Sequence, residues 1–244
     1  MKNVVYLGSK EIGFRCLKFL FESRKKLSIN ILGVLTNKKG KKIHKFCTDN
    51  KISIIQNLST YLSIEEEVNI AISVQYHKIL KKIHIDKAKE ITINLHMAPL
   101  PEYRGCNQFS YAIINNDKEF GTTIHKLEES IDGGAIIFEE RFKIPQDCWV
   151  KELYDITFYK SINLFKNNIH KIIEGNYKLI PQSKLIPERG TSLHYRKDIE
   201  NLKHINLEWP KDKIERYIRA TYMPGFEPPY IIIGAKKFYF NKKE

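Results

Sequence analysis

The sequence contains little cysteine, and its cysteines lie far apart. The four are Cys16, Cys47, Cys106 and Cys148. This spacing contains no Cys-x-x-Cys pair and no dense disulfide pattern, which argues against the usual cysteine metal sites and against a disulfide-rich secreted domain. We therefore expect reduced thiols, no bound metal and a cytoplasmic location.

Long apolar runs are also missing. The N-terminal run at residues 4–7 is broken at once by Gly8, Ser9 and Lys10, so it has no apolar signal core. No run approaches the roughly 20 apolar residues that a membrane span needs. The sequence therefore predicts a soluble protein without a membrane partner.

Acidic residues are outnumbered: 28 Asp and Glu stand against 41 Lys and Arg, which gives a formal charge of +13. A basic nucleic-acid-binding protein is the non-enzyme alternative that this charge suggests. However, the lysines are scattered or form short clusters beside abundant Ile and Asn, which is typical of a compositional bias on solvated faces. We therefore expect no nucleic-acid partner, although a positive surface would help to attract an anionic substrate.

The first half of the chain alternates short β-branched runs with amphipathic segments. This alternation predicts an α/β fold, a Rossmann-like, mainly parallel sheet with helices on both faces. The predicted strands are residues 3–7, 30–36, 69–74, 91–95, 121–127 and 135–144, and the predicted helices are residues 12–25, 108–115, 150–174 and 211–220.

The last part of the chain predicts a small α+β extension. Residues 231–233 and 236–240 indicate a β-hairpin about a turn that begins with Gly234. We expect a catalytic domain over residues 1–180 and a C-terminal extension over residues 181–244.

Two polar residues stand at the end of an apolar strand. Asn94 and His96 are two positions apart, so on a strand both side chains project from the same face. An Asn amide can donate to an oxyanion, and His can exchange a proton near neutrality. Asp132, followed by Gly133 and Gly134, can orient the imidazole or relay a proton. These groups suit acyl transfer to an amine without metal, although a histidine at a strand end can equally be structural.

The first predicted strand-to-helix turn is a GxGxxG motif with Lys10 in place of the middle glycine. A long side chain there would obstruct a dinucleotide pyrophosphate, so binding of NAD or FAD in the usual manner is not expected. The Ser9 hydroxyl and the Lys10 ammonium, at a helix N-terminus, can instead meet a phosphate of another ligand, or the turn can simply be exposed.

A second polar segment follows the predicted catalytic strand. Arg104 offers a planar fork that suits phosphate oxygens, while Asn107 and Gln108 offer donors and acceptors that suit sugar hydroxyls or a base. Asn107 can equally cap the following helix. Both roles are compatible.

The order Asn-x-His, Pro, Arg-Gly and Asp-x-Gly resembles the formyltransferase superfamily that uses 10-formyltetrahydrofolate. The resemblance implies Asn94, His96 and Asp132 as the catalytic residues and 10-formyltetrahydrofolate as the co-substrate. Residues 73–80 lie where relatives run their backbone past the folate pteridine. The implied folate contacts are Gln75, Tyr76, Ile79, Leu80, Asp132 and Gly134.

Three further segments are similar to nucleotide-sugar N-formyltransferases: the turn at residues 8–13, residues 75–80 and the Pro-Gly-Phe-Glu-Pro-Pro-Tyr run at 224–230. The resemblance implies a homodimer and a nucleotide-linked amino sugar as the acceptor. The implied substrate contacts are Ser9, Lys10, Lys78, Arg104, Asn107, Gln108 and Tyr222, the last stacked on the base.

These observations predict formyl transfer to a dTDP-linked amino-dideoxy sugar, most specifically dTDP-4-amino-4,6-dideoxyglucose, for surface-glycan or O-antigen biosynthesis. The alternative acceptors are dTDP-3-amino-3,6-dideoxyhexose, a UDP-amino sugar, methionyl-tRNA and glycinamide ribonucleotide. A tail from residue 181 is shorter than the C-terminal β-barrel of the tRNA enzymes and lacks its even strand spacing, which weighs against tRNA.

Overall fold

The computed structural model describes residues 1–241, so residues 242–244 of the predicted extension lie outside the described residues. The strands are β1 (Lys2–Gly8), β2 (Ile29–Leu35), β3 (Ile54–Ile55), β4 (Val68–Val74), β5 (Ala88–His96), β6 (Tyr103–Gly105), β7 (Glu119–Lys126), β8 (Ile136–Lys143), β9 (Ser192–His194), β10 (Tyr230–Ile233) and β11 (Lys236–Tyr239). The helices are α1 (Lys10–Glu22), α2 (Lys41–Asp49), α3 (Leu58–Leu62), α4 (Lys82–Ile85), α5 (Gln108–Ile114), α6 (Val150–Glu174), α7 (Ile186–Arg189), α8 (Ile199–Lys203) and α9 (Lys211–Thr221).

Within the described residues, the central sheet has seven strands in the order β3-β2-β1-β4-β5-β7-β8. The first five strands are parallel to one another, while β7 pairs antiparallel with both β5 and β8. The prediction of a mainly parallel α/β sheet is therefore confirmed. Because β1, β2, β4 and β5 run in the same direction, the turns after their carboxyl ends share one edge of the sheet.

The core lies on both faces of the sheet, as the alternation of side chains along β1 shows. Val4 and Tyr6 are buried in one apolar cluster with residues of α1 and α6. Val5 and Leu7 are buried in a second cluster, together with Tyr61 of α3. Each fully buried aliphatic side chain contributes about 1.5 to 3 kcal/mol of hydrophobic free energy. These two layers hold β1 and its carboxyl end in place.

Most long elements lie close to their predicted positions. Helix α6 has the predicted bounds, and it ends at Gly175, which has a φ of 77°. The prediction for α1 was wrong at its C-terminal end, because Ser23 to Ser28 form hydrogen-bonded turns that lead into β2. The short helices α2, α3 and α4 were not predicted, since four to nine residues give too little apolar periodicity.

The C-terminal segment contacts the first part of the chain directly. β9 pairs in parallel with β6, from Tyr103 opposite Ser192 to Gly105 opposite His194. The predicted hairpin is present as β10 and β11, around Gly234 at a φ of 61°. Across residues 1–241, no helix combines the length and the apolar character that crossing a membrane requires.

Candidate active site

Asn94, His96 and Asp132 converge at the carboxyl end of β5. Asn94 and His96 lie on β5, and Asp132 lies in the loop between β7 and β8. His96 Nδ1 is 3.6 Å from Asp132 Oδ2, and the His96 side chain is buried. The structure thus brings the predicted trio into one cluster.

The hydrogen bonds of His96 define which of its nitrogens is free. Nε2 lies 2.8 Å from the backbone oxygen of Tyr103. A carbonyl oxygen only accepts, so His96 Nε2 carries a proton and donates it. Nδ1, which faces Asp132, is then the atom that can take up a further proton.

His125 is a fourth member of the cluster, and it was not predicted from the sequence. It lies on β7, opposite Asn94 in the β5–β7 ladder, and it is fully buried. Its Nδ1 lies 2.8 Å from the backbone oxygen of Lys126 and therefore donates to it. Its Nε2 lies 3.2 Å from Asn94 Nδ2 and 3.5 Å from Asp132 Oδ1.

This arrangement fixes the orientation of the Asn94 amide. In the neutral tautomer, His125 Nε2 is an acceptor and takes one amide hydrogen of Asn94. The other amide hydrogen remains available to an oxygen that develops negative charge. The position of His125 in the predicted strand β7 could have drawn attention to it. Its pairing with Asn94, however, depends on the register between β5 and β7, which the sequence does not reveal.

Asp132 is held by contacts from three segments. It adopts a left-handed conformation with a φ of 46°, and its Oδ2 accepts from the Gly105 N–H at 2.9 Å. Burial opposes the charge, but the positive charges of His96 and then His125, when these rings are protonated, and the Gly105 N–H outweigh it and hold the pKa of Asp132 well below its usual range. Asp132 is therefore a carboxylate at neutral pH.

The turn after β1 brings Ser9 and Lys10 to the same edge of the sheet. Ser9 is buried, and its hydroxyl donates to the backbone oxygen of Gln75. Lys10 Nζ donates to Gln75 Oε1 at 2.9 Å. Desolvation, followed by the charges of Arg196 and Lys39, lowers the pKa of Lys10. Arg196 was not predicted, because it arrives from the C-terminal segment.

The segment from Arg104 to Gln108 borders this site, with one correction. Asn107 stands at the N-cap of α5, but its side chain makes no cap because its backbone is left-handed, with a φ of 60°. The capping interpretation was wrong: Asn107 Nδ2 donates to the backbone oxygens of Tyr195 and Arg196, at 2.8 and 3.3 Å. Arg104 Nε donates to the oxygen of Ile131 at 2.8 Å and so supports the Asp132 loop.

The other predicted substrate contacts differ in their surroundings. Lys78 is exposed, whereas Gln108 is buried in the first turn of α5. Tyr222 packs edge to face on Trp149, with ring centroids 5.9 Å apart. The structure therefore places Tyr222 in an aromatic pair.

The predicted folate segment follows β4 at the same edge. Gln75 has a φ of 55°, Tyr76 is partly buried, and Leu80 is buried. Ile79 has 73% of its surface exposed. Gly134 is buried, and a Cβ there would lie 2.0 Å from the oxygen of Lys126. Among residues 1–241, no three His, Cys, Asp or Glu side chains are arranged to hold a metal.

The chain is similar to known formyl transferases. Residues 56–165 match the formyl transferase family model. An N-formyltransferase structure from Helicobacter canadensis, in complex with folinic acid and dTDP-3-aminofucose, is 25% identical, with a TM-score of 0.78 over 97% of this chain and 86% of that one.

Two further relatives narrow the comparison. WlaRD, a sugar 3N-formyl transferase crystallised with dTDP and 5-N-formyl-THF, is 29% identical, with a TM-score of 0.79 over 97% of this chain and 84% of its own. The GDP-perosamine N-formyltransferase of Brucella melitensis is 27% identical over 70% of this chain. The match spans 63% of that relative's length.

Proposed function

We propose that this protein is a formyl transferase, which moves the formyl group of 10-formyltetrahydrofolate to the amine of a nucleotide-linked amino sugar. The observation that carries the proposal is the buried cluster of Asn94, His96, His125 and Asp132, at the sheet edge shared with the basic turn at Lys10. Such a cluster supplies an oxyanion donor and a proton acceptor without a metal.

The chemistry follows from the free atoms of the cluster. The neutral sugar amine attacks the formyl carbon, and a new C–N bond forms as the formyl oxygen becomes negatively charged. The free Asn94 amide hydrogen stabilises that oxygen. His96 Nδ1 accepts a proton from the attacking nitrogen, and Asp132 stabilises the resulting imidazolium. The bond from the formyl carbon to N10 then breaks, and N10 takes up a proton.

The two substrates are assigned to two sides of this cluster. The folate is assigned to Gln75, Tyr76, Ile79, Leu80, Asp132 and Gly134, where exposed Ile79 offers an apolar surface to a flat ring. The nucleotide sugar is assigned to Ser9, Lys10, Lys78, Arg104, Asn107, Gln108 and Tyr222. Because Arg104 Nε already donates to the backbone oxygen of Ile131, only the terminal nitrogens of Arg104 are available to bind a ligand.

We infer a dTDP-linked sugar on the strength of the two solved relatives that were crystallised with a dTDP ligand. The sequence favours the 4-amino sugar dTDP-4-amino-4,6-dideoxyglucose, whereas WlaRD is described as a 3N-formyl transferase. The 3-amino and the 4-amino dTDP sugars should therefore both be assayed first. A surface glycan as the product's destination, a cytoplasmic location and a homodimer remain predictions from the sequence.

We also propose that residues 1–180 form the catalytic domain and residues 181–244 an extension that completes it. The pairing of β6 with β9 supports this division of roles, because β6 also carries Gly105, whose N–H donates to Asp132. The extension is thereby proposed to support the strand that carries the Gly105 N–H, which donates to Asp132.

The deciding experiment supplies the purified protein with 10-formyltetrahydrofolate and each candidate acceptor in turn. We expect tetrahydrofolate release and a formylated product, seen by mass spectrometry, with a dTDP-amino sugar. Glycinamide ribonucleotide and methionyl-tRNA serve as competing acceptors. Turnover with either of these, and with none of the nucleotide sugars, would overturn the proposal.

A further inference from the structure

Within residues 1–241, strand β6 pairs with another strand along one edge alone, the edge that faces β9. The Glu102 oxygen, just before β6, accepts from the Ser192 N–H on this edge at 3.0 Å. The backbone groups of successive residues point to opposite edges of a strand, so those of Tyr103 and Gly105 face away from β9. We call this second edge, with the backbone groups of Tyr103 and Gly105, the free edge of β6.

The free edge contacts both members of the proposed acid–base pair. The Tyr103 oxygen lies 2.8 Å from His96 Nε2, and the Gly105 N–H donates to Asp132 Oδ2 at 2.9 Å. Buried backbone groups are nearly always paired, and the partners here are two side chains of the catalytic cluster instead of another strand. The position of β6 therefore affects both side chains.

His96 lies between two acceptors. Its Nδ1 faces the Asp132 carboxylate at 3.6 Å, and its Nε2 faces the Tyr103 carbonyl at 2.8 Å. A neutral imidazole has one N–H, so only one of these acceptors can receive it. A carboxylate is the stronger acceptor at equal geometry, but this one lies just beyond hydrogen-bond distance. The position of the Tyr103 carbonyl therefore decides whether Nδ1 is free to act as a base.

The side chain of Tyr103 anchors this carbonyl. Its hydroxyl donates to Asp117 Oδ2 and accepts from Asn115 Nδ2, the latter at 2.9 Å. Its ring packs on Phe120, with ring centroids 5.9 Å apart. Burial, followed by the hydrogen bond to Asp117, raises the pKa of Tyr103, so the hydroxyl keeps its proton and remains a donor. Tyr103 is thus fixed at the far end of its side chain.

Asp117 lies outside the catalytic cluster, in the turn between α5 and β7. It is partly buried, and its N–H donates to the Ala112 oxygen of α5 at 3.0 Å. The turn that carries the carboxylate is therefore closed onto the helix. A continuous set of contacts runs from α5, through Asp117 and Tyr103, to His96.

We propose that Asp117 and Tyr103 are positioning residues, which hold the free edge of β6 so that His96 keeps its proton on Nε2 and presents Nδ1 as the base. The role of His96 as a base rests on the proposed function, whereas the placement of its proton does not depend on catalysis. Asp117 acts through the hydroxyl of Tyr103, and Tyr103 acts through its backbone oxygen. Neither side chain is assigned a contact with the sugar or the folate.

The direct test locates the proton of His96 by NMR. Long-range ¹⁵N–¹H spectra of the full protein with labelled histidine, recorded at alkaline pH, distinguish the two neutral tautomers, and His96→Ala assigns the signals. We expect the Nε2–H tautomer in the unaltered protein. In Tyr103→Phe and in Asp117→Ala, the tautomer ratio should move towards Nδ1–H by about two- to tenfold, the change in an equilibrium that loss of one hydrogen bond produces.

Steady-state kinetics of formyl transfer test the consequence of this shift. Both variants should lower kcat by about two- to tenfold with little change in either KM, because only the fraction of His96 with a free Nδ1 falls. Asp117→Asn should recover part of the tautomer ratio and of kcat, since its amide oxygen can still accept from the Tyr103 hydroxyl. Equal losses in Asp117→Asn and Asp117→Ala would contradict the role of Asp117 as an acceptor.

The matched control is Tyr61→Phe, which removes a buried tyrosine hydroxyl from α3, in a different apolar cluster from Tyr103. It should leave the tautomer of His96 and kcat unchanged, and circular dichroism checks that every variant folds. The proposal is overturned if His96 of the unaltered protein carries its proton on Nδ1. It is equally overturned if the tautomer ratio is the same in Tyr103→Phe, Asp117→Ala and the unaltered protein.

The two proposals can fail separately. A tautomer of His96 that depends on Tyr103 and Asp117, without formyl transfer to any nucleotide sugar, would refute the proposed function and leave the positioning role standing. Formyl transfer by a protein whose His96 tautomer is insensitive to both residues would refute the positioning role alone.

Discussion

Gln182 donates from its Nε2 to the backbone oxygen of Asp132 at 2.7 Å, and the same nitrogen donates to the oxygen of Gly134 at 2.8 Å. Gln182 is buried, and it lies at the beginning of the C-terminal extension. The left-handed loop that presents Asp132 to His96 is therefore held by a side chain from fifty residues further along the chain.

The first prediction concerns this support. Gln182→Glu keeps the size of the side chain but replaces the donor with an oxygen that faces two carbonyl oxygens. We expect a lower melting temperature and a loss of kcat larger than any change in KM for the sugar, since each buried carbonyl left unpaired costs about 1 to 3 kcal/mol. Thermal unfolding and steady-state kinetics measure both effects.

The matched control for this support is Gln56→Glu, because Gln56 is exposed. It should leave kcat and the melting temperature unchanged. A Gln182→Glu variant with normal kcat would show that the Asp132 loop does not need this contact.

The second prediction concerns His125 as a positioning residue for Asn94. His125→Phe keeps a buried ring but removes the acceptor at Nε2, so the Asn94 amide loses its fixed orientation. We expect kcat to fall by about tenfold or more. The upper bound is the loss of about 10²- to 10³-fold in kcat that follows complete removal of an oxyanion donor. The KM for folate should change little.

Steady-state kinetics compare this variant with Asn94→Ala and with the double variant. If His125 acts through Asn94, the double variant should be no slower than Asn94→Ala. Independent, multiplicative losses would contradict the positioning role. His170→Phe, at an exposed position of α6, is the control for the introduced ring.

The sequence predicts part of the candidate site but not His125 or Gln182. Asn94 and His96 could be predicted because both belong to one strand end, where a spacing of two places them on one face. His125 and Gln182 could not, because their partners depend on the register between strands and on the path of a segment that returns much later. Asn107 failed as a predicted cap because its left-handed backbone turns the side chain towards Tyr195.

The third prediction concerns the charge of Asp132. Asp132→Asn removes the carboxylate beside His96 and should lower kcat by about 10²- to 10⁴-fold, the range for loss of a group in acid–base catalysis. Single-turnover measurement of tetrahydrofolate release checks this. Turnover near that of the unaltered protein would remove Asp132 from the mechanism.

The same substitution predicts a pH dependence of stability. The pKa of Asp132 is lower in the folded protein than the value of about 3.9 expected in the unfolded chain. Its charge therefore stabilises the fold above about pH 4, and this contribution is lost as the pH falls from there towards the folded pKa. The gap in melting temperature between the unaltered protein and Asp132→Asn should narrow below about pH 4. A gap that stays constant or widens there would contradict the prediction.

The last prediction compares two glycines with positive φ. Gly105 has a φ of 85°, and a Cβ there would lie 2.3 Å from the oxygen of His194, whereas Gly190 has a φ of 72° and nothing within 4 Å of a Cβ. Gly190→Ala should therefore cost only backbone strain, about 1 to 3 kcal/mol because its ψ of −179° lies outside the left-handed helical region, with kcat unchanged. Gly105→Ala should cost more, because it also separates β6 from β9 and moves the Gly105 N–H away from Asp132.

Denaturant unfolding and kcat measurements on both glycine variants test this. Equal losses of unfolding free energy and of kcat in the two variants would mean that the β6–β9 pairing does not support the loop that carries Asp132.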